Sequence, residues 1–114
     1  IPRSLKKGCA ARIRKEDVRT PALFHLMQKE GGISEHDMFN TFNMGVGMVL
    51  TVPAEQAEAA LAAMKANKYG ADAAIIGRVE EANENRGPKA FLETGFGTRR
   101  ILDMLVGEQL PRIC

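Results

Sequence analysis

Tryptophan is absent, tyrosine occurs once, and the two cysteines, Cys9 and Cys114, stand at opposite ends of the 114 residues. Two thiols so spaced support neither a disulfide framework nor a zinc site, and no metal ligand set is assigned. No apolar run approaches the roughly 18 residues that a membrane-spanning helix needs, so no membrane partner is expected. Charge of one sign is also lacking: sixteen Lys and Arg against fourteen Asp and Glu leave +2. That bias is too weak to point to nucleic acid. A signal-peptide profile and an initiator methionine are both missing. The opening Ile1-Pro2-Arg3 therefore reads as the start of a piece of something longer, and a cytoplasmic setting is expected.

What is present is ordinary for a globular chain. Apolar residues make up 45% and charged ones 26%, which argues against wholesale disorder. The length allows one domain, near the lower limit for a secure core. Basic residues bunch early, at Arg3, Lys6, Lys7, Arg12, Arg14, Lys15 and Arg19. Such a bunch is either a solvated face or a site for a phosphorylated ligand.

Hydrophobic spacing gives the element order. Cys9 to Ile13 suits a short strand between Gly8 and the charged Arg14-Lys15-Glu16-Asp17. Thr20 offers an N-cap and Pro21 a first helical residue, with Leu23, Leu26 and Met27 as an apolar stripe and Gly31-Gly32 as the stop. Ser34 caps a second helix over residues 34–41, with Asp37 three positions on and Ile33 and Met38 placed to close a hydrophobic staple. From Gly45 to Val52 the run GVGMVLTV predicts a buried strand. Pro53 ends it and opens a helix over about residues 54–67, striped by Ala57, Ala60, Leu61 and Met64. Ala73 to Val79 predicts a third strand, with Gly77 as a bulge candidate. Residues 80–88 read as a loop, followed by a strand at 89–93 and a helix from Thr98 to Val106. The fold class is α+β, with helices on a small, mostly antiparallel sheet.

Few constellations invite chemistry. Gly45-Val46-Gly47 lies after a helix and before an apolar run, the reverse of the order that a dinucleotide fingerprint requires. Glycines there serve either close packing or room for a ligand against the main chain. Asn43 either presents its amide to a ligand or holds the turn through its own backbone. His25 and His36 lack partners at metal spacing and read as structural or surface residues. No acid pair is singled out for general acid–base work, so no catalytic residue is assigned. The methionines at 27, 38, 44, 48, 64 and 104 read mostly as core.

The run from Asp37 to Leu50, DMFNTFNMGVGMVL, closely resembles the EMFRTFNMGVGMVL segment of the aminoimidazole ribonucleotide synthetase (phosphoribosylformylglycinamidine cyclo-ligase) family. Ile1-Pro2-Arg3-Ser4-Leu5 is similar to that family's IPRVLP. Pro21-Ala22-Leu23-Phe24, Leu26-Met27-Gln28 and Gly32-Ile33-Ser34 resemble its PPIFKLLQ…GNI stretch. Ile75-Ile76-Gly77-Arg78-Val79 resembles its IGEV strand. Residues 1 to about 81 match in order, and residues 82–114 do not resemble the family's ending. The expected division is thus a partial carboxy-terminal domain over 1–81 and a tail of unassigned role over 82–114.

The resemblance implies two α+β domains, a homodimer formed by the amino-terminal halves, and an active site between domains. It further implies closure of the imidazole ring of formylglycinamidine ribonucleotide with ATP and Mg²⁺, giving aminoimidazole ribonucleotide, ADP and phosphate in purine synthesis. ATP and Mg²⁺ would be bound mainly by an amino-terminal domain that these residues do not include. Asn43, Gly45 and Gly47 carry over as cleft-lining, substrate-binding candidates. Other readings remain: a related superfamily member such as formylglycinamidine ribonucleotide amidotransferase or a hydrogenase maturation protein, or a truncated product that catalyses nothing.

Overall fold

Cys9–Arg14 alternates small or apolar residues with arginines, and it forms the central strand, β1. The computed structural model describes residues 1, 5–82, 90–97 and 99–101, the last three by backbone alone. After a 3-10 turn at Lys15–Asp17 come α1 (Ala22–Gly31), α2 (Glu35–Thr41), a second 3-10 turn at Ala54–Gln56 and α3 (Ala57–Lys65). The strands β2 (Gly77–Glu81), β3 (Ala90–Glu93) and β4 (Arg99–Ile101) complete the order. The four strands form one sheet in the order β2-β1-β3-β4. β1 pairs antiparallel with β2 and parallel with β3, and β3 pairs antiparallel with β4. The architecture is α+β, as expected, with two antiparallel pairings against one parallel.

Alternation along the strands divides the sheet into two faces. Ala11, Ile13, Ala90 and Leu92 share one face and form the buried cluster, against which Leu5, Val18, Phe39 and Ile76 pack. The register Ala11↔Ala90 and Ile13↔Leu92 sets these side chains next to one another. Arg12, Glu80 and Glu93 take the other face and are ion-paired there. That second face is charged where the first is apolar, although Ala10 on it is also buried.

The capping chemistry accounts for α1 and α2. Ser34 Oγ accepts from the Asp37 N–H at 3.1 Å, as expected, and Met38 behind it is fully buried. Gly32 closes α1 in the left-handed region at φ 58°, with the Ile33 N–H on the Gln28 carbonyl at 3.0 Å. At the other end the expectation shifts by one residue: Pro21, not Thr20, is the N-cap, and no side chain caps the helix. The stripe of α1 also turns. Phe24 and Met27 are half-buried, while Leu23 and Leu26 are exposed. In α3 the half-buried positions are Ala57, Ala60, Leu61 and Met64, the stripe read from the sequence.

Three expectations are corrected. The run at 45–52 forms no ladder with any described strand, and Met48 is 80% exposed. An apolar, β-branched run has strand propensity, but a buried strand also needs a paired neighbour on each side, and the described sheet offers it none. The strand expected at 73–79 begins only at Gly77 and continues to Glu81. Close approach explains why a glycine stands there: a Cβ on Gly77 would lie 2.0 Å from the Arg12 carbonyl oxygen. In the tail, β3 was expected, but Arg99–Ile101 is a strand paired to β3 and not the start of a helix. The remainder of that expected helix lies outside the described residues, as do most of the loop at 80–88, Met104 and Cys114.

Candidate functional site

The three cleft-lining candidates fall on one tight turn that leaves α2. Phe42 ends the helix, its N–H still on the Met38 carbonyl at 2.9 Å. Met44 and Gly45 follow with φ of 53° and 91°, and the Val46 N–H closes the turn on the Asn43 carbonyl at 3.0 Å. Positive φ at both central residues is the signature of a primed turn, and it strains a side chain such as methionine. Asn43 supports the turn directly, because its Oδ1 accepts from the Gly45 N–H at 3.0 Å. An N–H can donate only to the oxygen, so this bond also fixes the amide's orientation. The Asn43 Nδ2 donor is left without a partner among the described residues.

Met44 compensates for its backbone strain by burial, at 4% exposure. A positive φ on a non-glycine residue costs about 1–3 kcal/mol. Burying a methionine side chain returns a similar amount, roughly 1.5–3 kcal/mol. Spacing identified Met44 as core, and that holds. Its unusual backbone was not foreseen, because nothing in the residue type announces a left-handed methionine.

The two glycines separate once the geometry is seen. A Cβ on Gly45 would stand 2.3 Å from Pro21 Cδ and 2.8 Å from Pro21 Cγ. Gly45 is therefore a packing glycine. Gly47 is different: its φ is not positive, and a Cβ there meets nothing within 4 Å among the described residues. Asn43, Gly45 and Gly47 are all exposed, so the turn is a surface feature.

The other candidate clusters resolve into ion pairs. Arg12 donates to Glu80 at 2.6 Å and to Glu93 at 3.1 Å across three strands. The hydrogen bond that Arg12 donates to Glu80, ahead of the two carboxylate charges, raises the pKa of the Arg12 guanidinium above its ordinary value despite its partial loss of hydration. A shallow depression of about 220 Å³ lies beside it, lined by Arg12, Arg14, Gly77, Arg78 and Glu93. Arg14 pairs with Asp17, Lys15 with Glu35 and Arg19 with Asp72, so with Arg12 four of the seven early basic residues are ion-paired. His25 and His36 are exposed, and His36 Nε2 lies 2.9 Å from Asn40 Nδ2. Among the described residues no group of three or more His, Cys, Asp or Glu side chains could hold a metal ion.

The sequence comparison decides the family. Residues 1–88 match the family model described as AIR synthase related protein, C-terminal domain. The chain belongs to that family. It is 52% identical over 79 residues to the phosphoribosylformylglycinamidine cyclo-ligase of Shouchella clausii, a match covering 69% of this chain and 22% of the relative. With the cyclo-ligase of Symbiobacterium thermophilum it shares 44% over 92 residues, 81% of this chain and 25% of the relative. The chain thus spans about a quarter of the length of these curated family members. Its fold is also similar to the crystal structure of the hydrogenase maturation protein HypE. That superposition has a TM-score of 0.62 at 28% identity and covers 94% of this chain and 33% of the other.

Proposed function

We propose that the chain is the carboxy-terminal part of a phosphoribosylformylglycinamidine cyclo-ligase, which closes the imidazole ring of formylglycinamidine ribonucleotide with ATP. The observation that carries this reading is the 52% identity over 79 residues with the Shouchella clausii enzyme. Within it, residues 1–81 form the partial domain and residues 82–114 an addition that contributes β3 and β4. The whole protein would use ATP and Mg²⁺, act as a homodimer in the cytoplasm and contact neither nucleic acid nor membrane. No helix among the described residues is long and apolar enough to cross a membrane. The described residues supply no cradle for Mg²⁺ and no phosphate-binding loop, so no step is assigned to these groups here.

The chemistry asks for positioning. An amide oxygen is a poor leaving group, and phosphorylation converts it into a good one that an amidine nitrogen then displaces. A protein promotes this by holding the reacting groups together and by meeting the charge that develops. Asn43 offers an unpartnered amide donor on a turn whose shape its own Oδ1 maintains. Gly47 leaves the adjoining main chain bare on an open side, so a substrate could lie close against it, whereas the corresponding side of Gly45 is taken by Pro21.

The test grafts residues 1–81 in place of the matching segment of the Shouchella clausii enzyme. Asn43→Asp keeps the acceptor for the Gly45 N–H and removes the donor. Loss of one hydrogen bond to substrate, about 1 kcal/mol, is expected to raise KM for formylglycinamidine ribonucleotide by threefold to tenfold with little change in thermal midpoint. Unaltered kinetics would remove Asn43 from the site.

A second reading is favoured by one observation. The HypE superposition covers 94% of the chain, more than the 81% that the Symbiobacterium thermophilum cyclo-ligase match covers. The tail would then belong to a hydrogenase maturation protein. Growth without added purines, from a graft in the cyclo-ligase, and restored hydrogenase activity, from a graft in the maturation protein, distinguish the two.

A further inference from the structure

We infer that Pro21 is a positioning residue for the Asn43–Gly47 turn, setting where the Asn43 amide stands relative to the rest of the domain. The inference rests on the reading of that turn as substrate-binding. Both hydrogen bonds of the turn, Val46 N–H to the Asn43 carbonyl and Gly45 N–H to Asn43 Oδ1, are internal to it. Internal bonds fix the shape of a turn and not its place. No described strand pairs with residues 46–52, so no ladder fixes it either. Placement must come from side-chain packing.

Three contacts supply that packing, and two of them belong to the start of α1. Met44, within the turn, is buried. The Phe24 and Phe42 rings meet edge to face, with centroids 6.2 Å apart and planes at 61°. Pro21 Cδ and Cγ fill the space that a Cβ on Gly45 would take, and the Arg19 carbonyl oxygen lies 3.5 Å from the same point. Pro21 suits this role because its ring is rigid and its φ, −59°, is fixed by that ring. It is also tied to the helix, its carbonyl accepting from the Phe24 N–H at 3.0 Å. A rigid ring against a bare main chain transmits the position of α1 to the turn with no rotamer freedom between them.

A double-mutant cycle in the grafted enzyme tests this, combining Pro21→Ala with Asn43→Asp. Pro21→Ala deletes the ring atoms that touch Gly45 and keeps a β-carbon. By itself it is expected to raise KM for formylglycinamidine ribonucleotide about threefold or more, with kcat little changed. In the Asn43→Asp background it should add no further loss, because the group that it positions has gone. Additive losses, or a kinetically silent Pro21→Ala beside an impaired Asn43→Asp, would overturn the inference and leave the substrate-binding turn standing. A silent Asn43→Asp would overturn both. If the grafted Pro21→Ala fails to fold, Pro21→Val takes its place in the cycle: a loss that vanishes in the Asn43→Asp background supports the positioning role, and an additive one defeats it.

Discussion

At the scale of the residue, Gly45 and Gly47 sit two positions apart in one surface segment and answer to different constraints. Gly45 combines φ of 91° with a proline ring where its Cβ would be, so alanine there is strained twice. Gly45→Ala is expected to cost about 1–3 kcal/mol of stability, seen as a lowered thermal or urea midpoint. At Gly47 the same measurement should find Gly47→Val neutral or slightly stabilising, since a side chain meets open space and the unfolded chain loses freedom. A catalytic loss in the grafted Gly47→Val enzyme, at an unchanged midpoint, would then mark this position as facing the substrate. A lowered midpoint with normal kinetics would show a packing role instead. From spacing alone the two glycines could not be told apart, because what separates them is Pro21, twenty-four residues earlier in the chain. Asn43 shows a similar limit. Its residue type allowed a turn-holding role or a ligand-facing one, and the folded amide shows the first through its oxygen.

Elements were legible where local chemistry decides them and illegible where partners do. The cap at Ser34, the αL glycine after α1 and the four-residue stripe of α3 all follow from residues within one or two turns of one another. The run GVGMVLTV fails as a strand because pairing is non-local, and its own propensity cannot provide a neighbour. Leu23 and Leu26 fail as inward residues because α1 turns Phe24 and Met27 inward instead, Phe24 against Phe42. The strand at Ala90–Glu93 was expected, yet its place beside β1 was not, since sequence does not announce a parallel pairing across some eighty residues. That placement carries a prediction. Leu92 is 1% exposed and stands in register with Ile13, so Leu92→Ala should cost about 2–5 kcal/mol in chemical denaturation. A cost well under 1 kcal/mol would mean that β3 does not complete this core.

The balance between buried and exposed apolar surface is a property of the whole molecule. Seven hydrophobic residues are buried among those described, three of them alanines, and the largest fully buried side chains are Met38 and Leu92. Set against this small core, Met48, Val49, Leu50 and Val52 are all exposed within five consecutive positions. Residues 44–54 carry no charge, and no proline interrupts them before Pro53. An uncharged, β-branched, solvent-facing run is the composition that drives association between chains. The 114-residue chain is therefore expected to self-associate as its concentration rises, which sedimentation velocity over a hundredfold range would show. Replacing Met48 and Leu50 together by lysine places like charges on the run without touching the buried cluster. Exposed substitutions of this kind change stability by only about 0.5 kcal/mol, so the thermal midpoint should hold while the larger species disappear. A chain that sediments as a monomer throughout would show that this run is covered in solution, and a midpoint that falls with the lysines would show by what: the chain's own core.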